Sequence, residues 1–239
     1  MKIALLGYGK MGKTIEQMAR DKGHKIGLRI DQQEAGQWGH AELRDIDVAI
    51  EFSRPEAAYD NIRTALLAGT PVVSGTTGWL DRMADIQALC DAQSGAFFYA
   101  SNFSIGVNLF FALNQKLAQL MNAFPQYAVE MEEIHHTEKL DAPSGTAITL
   151  AQGIIERLDR KADWVNHASE RPETLAIHSK RIDRVPGTHR VQYGSPIDQI
   201  TIEHVAHSRE GFARGALLAA EWLPGKRGNF GMNDLLQNL

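Results

Sequence analysis

The chain has 239 residues, 44% of them hydrophobic, which suits one large or two modest globular domains. Its net charge of −4 at pH 7 gives no support to the binding of nucleic acid or of an anionic membrane surface. Cys90 is the only cysteine, so a disulfide framework is excluded and a reducing compartment such as the cytoplasm is expected. The apolar run from Ile3 to Leu6 is too short for a signal peptide or a membrane span.

A glycine loop follows the first predicted strand, Lys2 to Leu6, which is a short apolar run typical of a buried parallel strand. The loop reads Gly7-Tyr8-Gly9-Lys10-Met11-Gly12, the pattern G-x-G-x-x-G, and a helical spacing of apolar residues follows from Thr14 to Lys22. The pattern also occurs in plain strand-to-helix turns. With a strand before it and a helix after it, it favours the binding of a dinucleotide.

An acidic residue follows the second predicted strand, Lys25 to Ile30. Asp31 stands 19 residues after Gly12, close to the ~20 expected for the acid that binds an adenosine ribose. A carboxylate there favours the free 2′-hydroxyl of NADH and repels the 2′-phosphate of NADPH. Gln32 and Gln33 add no positive charge, although Arg29 on the same strand face could partly offset Asp31. We therefore expect a preference for NADH, with NADPH usable.

The rest of the first half continues the alternation of strands and helices. Gly75-Thr76-Thr77-Gly78 follows the fourth strand, where small residues either let a ligand approach the backbone or simply form a turn. The alternation predicts a Rossmann-type, doubly wound parallel sheet, whose ligands bind at the carboxyl ends of the strands. The predicted strands are Ile46 to Phe52, Val72 to Ser74 and Ala96 to Ala100, and the predicted helices are Pro55 to about Leu67 and Leu80 to Ser94.

The second half predicts an α+β domain with a mixed or antiparallel sheet, because its strands follow one another closely in sequence. Asp159 to Pro172 is charged and aperiodic, and we predict a loop there. The predicted elements are a helix from Ile105 to Phe124, a strand from Val129 to Ile134, a helix from Gly145 to Arg157, and strands at Leu175 to Ile182, His189 to Tyr193 and Gln199 to Ala206. A last helix, Phe212 to Trp222, is expected to return to the first domain. The predicted domains are thus 1–104 with 210–239, which binds the dinucleotide, and 105–209, which binds substrate and forms oligomers.

The densest group of candidate catalytic and anion-binding residues lies between Glu130 and Ala147. This stretch reads E-M-E-E-I-H-H-T-E-K-L-D-A-P-S-G-T-A. His135 and His136 end a strand, so their side chains are expected to point to opposite sides. Ser144 stands at a helix N-cap, and the first N–H groups of that helix, with the Ser144 and Thr146 hydroxyls, can bind a carboxylate. Lys139 adds a positive charge. No metal site is expected, because the histidines face apart and no cysteine is near.

The same residues also allow a plainer interpretation, in which the histidines are surface residues and Ser-Gly-Thr is only a helix cap. The whole stretch H-H-x-x-K-x-D-A-P-S-G-T-A nevertheless resembles the signature of the dihydrodipicolinate reductases of lysine and diaminopimelate biosynthesis. Residues 100–108 resemble the A-x-N-F-S-x-G-V-N segment of that family, and Ser208-Arg209 resembles its Ser-Arg pair. The resemblance covers essentially the whole chain, in order, with no motif residue replaced.

The resemblance implies a homotetramer that uses NADH or NADPH to reduce dihydrodipicolinate, a small dicarboxylate formed from 4-hydroxy-tetrahydrodipicolinate, to tetrahydrodipicolinate. The hydride is implied to cross a cleft between the domains. His135 and Lys139 are implied to donate the proton. The implied substrate-binding residues are His136, Ser144, Gly145, Thr146 and Arg209, and the implied cofactor contacts beyond the glycine loop and Asp31 are Gly75, Thr76, Thr77, Ala100, Ser101, Asn102 and Phe103.

Two other functions compete with this one. One is another two-domain dehydrogenase of amino-acid biosynthesis, such as an aspartate-semialdehyde or a homoserine dehydrogenase. The former needs a cysteine nucleophile, and Cys90 on a packed helix is a poor candidate. A non-enzymatic NAD sensor should carry a DNA-binding segment or a basic patch, and the sequence shows neither.

Overall fold

A computed structural model of the chain describes residues 1–31, 38–208 and 210–238. Gln32, Gln33 and Arg209, to which the sequence analysis assigned roles, lie outside the described residues. The chain divides into two compact units, Met1–Ile105 with Glu210–Leu239, and Gly106–Arg209. No helix in the described part of the chain is long and apolar enough to cross a membrane.

Strands and helices alternate through the first half and then give way to a run of strands. The strands are β1 (Lys2–Leu6), β2 (Lys25–Ile30), β3 (Val48–Glu51), β4 (Val72–Ser74), β5 (Ala96–Tyr99), β6 (Ala128–His135), β7 (Asp163–Val165), β8 (Thr174–Arg181), β9 (Gly187–Gly194), β10 (Gln199–Ala206) and β11 (Gly228–Phe230). The helices are α1 (Lys10–Asp21), α2 (Pro55–Leu67), α3 (Met83–Ala92), α4 (Ile105–Met121), α5 (Gly145–Ile155), α6 (Glu210–Trp222) and α7 (Met232–Gln237).

The first unit is a parallel sheet of six strands in the order β11-β5-β4-β3-β1-β2, with helices on both faces. Strand β1 shows why both faces are covered. Ile3 and Leu5 belong to the cluster formed with α1, α6 and α7, whereas Ala4 and Leu6 belong to the cluster formed with α2 and α3. Because strand side chains alternate between faces, the four successive apolar residues from Ile3 to Leu6 must be buried on both sides of the sheet. The predicted doubly wound sheet is confirmed.

The second unit is a mixed sheet of five strands in the order β10-β9-β6-β8-β7. Strand β6 pairs antiparallel with β9 and parallel with β8. One face of the sheet packs against α4 and α5, and its core includes Phe110, Met131, Leu150, Ile177 and Tyr193. The other face carries polar residues. The predicted second domain with a mixed sheet is confirmed.

Several predicted boundaries were wrong. Helix α1 begins at Lys10 rather than Thr14, so the last residues of the glycine loop are already helical. Residues 159–172 were predicted as a loop, but they contain β7, which pairs parallel with β8 at the edge of its sheet. Strand β11 was not predicted. Both strands have three residues, which is too short for a period-2 pattern, and only pairing with a longer neighbour makes them strands.

Candidate active site

The carboxyl ends of the parallel strands bring the predicted cofactor residues to one edge of the first sheet. The glycine loop follows β1, Asp31 follows β2, Gly75 to Thr77 follow β4, and Ala100 to Phe103 follow β5. All these strands run in the same direction, so their ends meet at the edge where open α/β sheets bind ligands.

The glycine loop has the geometry of a phosphate site. Gly9 is the N-cap of α1, without a side-chain hydrogen bond to the helix and without an acidic residue in the first turn. A Cβ on Gly12 would lie 2.3 Å from the carbonyl oxygen of Gly7, so α1 can pack on the loop only without one. A Cβ on Gly9 would meet nothing within 4 Å, which leaves space above the helix N-terminus. The glycine loop and the N-terminus of α1 therefore fit the pyrophosphate of a dinucleotide.

Other residues of the loop face different surroundings. Lys10 is exposed, and Met11 packs against the core. The Tyr8 hydroxyl donates a 2.6 Å hydrogen bond to Oε2 of Glu16. Arg29 donates to both oxygens of the same carboxylate, at 2.7 and 2.5 Å, and these bonds hold the pKa of Glu16 well below its usual range. The guanidinium of Arg29 is therefore engaged with Glu16, while Asp31 is exposed at the end of β2.

Thr76 is held in place by a buried carboxylate that the sequence analysis missed. Its hydroxyl donates to Oε1 of Glu51 at 2.9 Å and accepts from the Ser53 N–H at 2.9 Å, and its carbonyl accepts from Trp79 Nε1 at 2.7 Å. Burial raises the pKa of Glu51, and hydrogen bonds from Ser53, Ser74 and Thr76 oppose that effect. Thr76 thus fixes the loop, while the neighbouring Thr77 is exposed.

The segment after β5 contributes mainly packing and backbone. Phe103 is 2% exposed, and its ring lies 5.8 Å from that of Phe98 and 5.5 Å from that of Phe52. Ala100 is buried and Ser101 is exposed. Asn102 Oδ1 accepts a 2.9 Å hydrogen bond from the Ser104 N–H. Cofactor contacts by this segment stay a prediction.

Gly75 has a packing role as well. A Cβ there would lie 2.2 Å from the Phe52 ring and 3.0 Å from the Phe103 ring. The absence of a side chain therefore lets the loop after β4 lie directly on these two rings. Any contact of Gly75 with the cofactor would be made by its backbone.

In the second unit, His135 lies in a buried cluster on the inner face of the sheet. Strand β6 extends to His135, so Glu133 and His135 face the same side and are both buried. Nδ1 of His135 lies 3.2 Å from Oε2 of Glu133. The ring of His189, from β9, lies 5.0 Å from that of His135 at an interplanar angle of 71°. Alternation along β6 could have identified Glu133 from sequence, whereas His189 required the strand order.

Ser144 joins the same cluster. Its N–H donates to Oε2 of Glu133 at 3.1 Å, and its hydroxyl lies 3.1 Å from Nε2 of His189. The hydroxyl also accepts from the Ala147 N–H at 3.2 Å, so Ser144 is the N-cap of α5 as predicted. Ser144 itself is 3% exposed, whereas Gly145 is exposed and a Cβ there would meet nothing within 4 Å. The open part of this helix N-terminus is therefore the backbone at Gly145 and Thr146.

Lys139 lies on the loop between β6 and α5. Its Nζ donates to both carboxylate oxygens of Asp141, at 2.7 and 2.8 Å, and this contact lowers the pKa of Asp141. Arg181, from β8, donates to the carbonyls of Lys139 and Asp141 at 3.3 and 2.6 Å. Arg181 thus fastens the loop that carries Lys139 to the sheet.

His136 faces a different space from His135. It contributes to an open cavity of about 470 Å³ within the second unit. The cavity is lined by His136, Thr137, Glu138, Asp183, Arg184, Val185, Pro186 and Ser208. The predicted divergence of the two histidines therefore agrees with where the side chains lie. The substrate-binding roles of His136 and of Arg209, the latter outside the described residues, stay predictions.

The cluster on the inner face could be taken for a metal site. Glu133, His135 and His189 place potential ligand atoms within 4.8 Å of one another. However, Oε1 of Glu133 already accepts from Ser179 Oγ at 2.7 Å and lies 3.4 Å from the Arg181 guanidinium, which would repel a cation. The donor set around Glu133 therefore suits a proton better than a metal ion.

Comparison with known proteins identifies the chain. The N-terminal profile of dihydrodipicolinate reductase matches residues 1–103, and the C-terminal profile matches residues 106–236. This chain belongs to the dihydrodipicolinate reductase family. A 4-hydroxy-tetrahydrodipicolinate reductase of Christiangramia forsetii is 52% identical over 100% of this chain and 99% of its own length. The protein of that name from Oleidesulfovibrio alaskensis is 36% identical over 95% of this chain and 96% of its own.

A solved structure shares the fold of this family member. The dipicolinate-bound dihydrodipicolinate reductase from Paenisporosarcina sp. TG-14 superposes with a TM-score of 0.78 over 98% of each chain, at 23% sequence identity. The resemblance to the family that was inferred from the sequence motifs is therefore confirmed.

Proposed function

We propose that this protein reduces dihydrodipicolinate, formed from 4-hydroxy-tetrahydrodipicolinate, to tetrahydrodipicolinate in lysine and diaminopimelate biosynthesis. The observation that carries the proposal is the match of both family profiles along the chain, with the glycine loop in one matched part and the His135–Lys139–Ser144 stretch in the other. The reductases that resemble it bear the name of this activity.

The first unit, predicted as 1–104 with 210–239, is assigned to the cofactor. A nicotinamide dinucleotide supplies the hydride when it is bound. The N-terminus of α1, which has no side-chain cap, and the open space beside Gly9 would hold its pyrophosphate. Asp31 would accept hydrogen bonds from its ribose. NADH is proposed as the preferred cofactor, because Asp31 is negative and Arg29 is engaged with Glu16 instead of being available for a 2′-phosphate.

The second unit, predicted as 105–209, is assigned to the substrate. The backbone at Gly145 and Thr146 would bind one carboxylate of the dianion, since a helix N-terminus favours negative charge. Lys139 and Arg209 would add positive charge. Reduction leaves electron density on the substrate that must be protonated, and His135, supported by Lys139, is assigned to that step. General acid catalysis of this kind typically contributes ~10²–10⁴-fold to the rate.

A coupled assay tests the function and the cofactor preference together. The unstable substrate is generated in place from pyruvate and aspartate semialdehyde by a synthase, and oxidation of NADH and NADPH is followed separately. We expect substrate-dependent oxidation with a higher kcat/KM for NADH. Equal or better efficiency with NADPH would contradict the role of Asp31. Binding of NADH without any oxidation would overturn the proposed reaction.

We also propose that the protein assembles as a homotetramer through the polar face of the second sheet. On this face Arg190 donates to Glu203 at 2.7 Å and to Glu132 at 3.3 Å, and Glu132 also pairs with Lys180. The clusters that cover the other face with α4 and α5 include none of these residues. Because most soluble oligomers are symmetric homo-oligomers, a second copy of the chain is the partner that we propose for this face.

Light scattering coupled to size-exclusion chromatography measures the assembly. We expect a mass of four chains for the wild type and a shift to smaller species for Arg190→Glu, which places like charges beside Glu132 and Glu203. Arg157→Glu, at an exposed position just after α5, is the matched control and should keep the wild-type mass. A monomeric wild type at micromolar concentration would rule the tetramer out.

The competing dehydrogenase function is disfavoured by the surroundings of Cys90. The thiol is free and buried, and burial raises its pKa, with Asp91 adding to the effect. A catalytic cysteine needs an accessible thiolate, which this position does not provide. A free buried thiol suits the cytoplasmic location that we propose for this biosynthetic enzyme.

A further inference from the structure

Glu133 contacts four groups in and around the proposed proton-transfer site. Its Oε2 lies 3.2 Å from Nδ1 of His135 and accepts from the Ser144 N–H at 3.1 Å. Its Oε1 accepts from Ser179 Oγ at 2.7 Å and lies 3.4 Å from the Arg181 guanidinium. The side chain is 0% exposed, so these contacts replace all of its hydration.

A buried carboxylate needs such partners to remain ionised. Burial opposes ionisation of Glu133, but the contacts with His135, Ser144 and Ser179 outweigh it and hold its pKa below the usual range. His189, by contrast, is kept neutral, since burial and the nearby His135 lower its pKa to about 4. The negative charge of Glu133 therefore lies against the ring of His135 and beside the ring of His189, which stays neutral.

We propose that Glu133 is a positioning residue, which orients His135 for proton donation and fixes the N-terminus of α5 that receives the substrate carboxylate. The inference rests on the proposed function, because it assumes that His135 is the proton donor. Nothing requires Glu133 to touch the substrate.

Glu133 lies close to Nδ1 as a charged neighbour, without the alignment of a hydrogen bond, and this proximity determines which atom of His135 can act. A carboxylate at one ring nitrogen leaves the other as the donating atom and stabilises the imidazolium. Nε2 of His135 lies near the backbone of Gly187. A Cβ at position 187 would lie 3.1 Å from Nε2, so the glycine leaves space around this nitrogen. The same carboxylate binds the Ser144 N–H, so one side chain sets both the donor atom and the start of the anion-binding helix.

Two substitutions distinguish a charge effect from a shape effect. Glu133→Gln keeps the size and the acceptor oxygen but removes the charge, whereas Glu133→Asp keeps the charge and shortens the side chain. We expect Glu133→Gln to lower kcat by roughly 10- to 100-fold, the usual effect of losing a supporting carboxylate, with KM for the substrate and Kd for NADH changed less than about threefold. Glu133→Asp should retain a higher kcat than Glu133→Gln. Glu156→Gln, at the far end of α5 and exposed, removes the same charge and should behave as wild type.

The outcomes separate this inference from the proposed function. If the wild type does not reduce the substrate, the proposed reaction itself is contradicted, independently of Glu133. If the wild type is active and Glu133→Gln is as active as Glu133→Asp or more so, shape rather than charge matters and the inference is overturned. The inference is also overturned if the losses in kcat match losses in NADH affinity or in melting temperature, since a merely structural role would produce that pattern.

Discussion

Replacing His135 by glutamine is expected to lower kcat by ~10²–10⁴-fold, the typical contribution of a general acid, while the Kd for NADH stays unchanged. Glutamine fills the space of the imidazole but cannot release a proton near neutral pH. The Kd should be insensitive because His135 belongs to the unit assigned to the substrate, whereas the glycine loop belongs to the other unit. Steady-state kinetics in the coupled assay and fluorescence titration with NADH measure the two quantities.

The matched control is His167→Gln. His167 is an exposed histidine on the loop after β7, and its loss should leave both quantities at the wild-type value. Equal losses of kcat and of NADH affinity in His135→Gln would show that His135 supports the fold instead of donating the proton. A kcat no lower than that of the control would remove His135 from the mechanism.

The glycine loop offers a second large effect, because two of its glycines are needed for different reasons. Gly12→Ala places a Cβ 2.3 Å from the Gly7 carbonyl oxygen, so α1 must shift. We expect the free energy of unfolding to fall by about 1–3 kcal/mol, the usual cost of overpacking. Gly9→Ala meets nothing within 4 Å, so it should cost less than about 1 kcal/mol of stability, the scale of an N-cap change.

Both variants should bind NADH at least about tenfold more weakly, a difference of more than about 1.4 kcal/mol in binding free energy. Gly12→Ala acts by displacing the helix N-terminus, and Gly9→Ala by filling the space proposed for the pyrophosphate. Gly194→Ala in the second unit also adds a Cβ in open space and should not change the affinity. Chemical denaturation and NADH titration measure these effects. Unchanged affinity in Gly9→Ala would mean that the pyrophosphate does not approach this loop.

Sequence patterns were most informative where a function depends on local backbone geometry. The glycine loop, the N-cap at Ser144 and the divergence of His135 and His136 each follow from a few neighbouring residues, and each is present in the structure. The two-sided burial of β1 also followed from its unbroken apolar run. Short strands at sheet edges, β7 and β11, could not be found this way, because three residues carry no usable periodicity.

The sequence by itself determined the family, the order of the longer elements, the parallel sheet and the stretch that carries His135 and Lys139. Only the tertiary structure decided which partners these residues have. It placed His189 and Arg181, from strands far along the chain, beside Glu133 and His135, and it engaged Arg29 with Glu16 and Thr76 with Glu51. The physical reason is that local patterns record the backbone preferences of neighbouring residues, whereas burial and hydrogen-bond partners depend on the order in which strands pair.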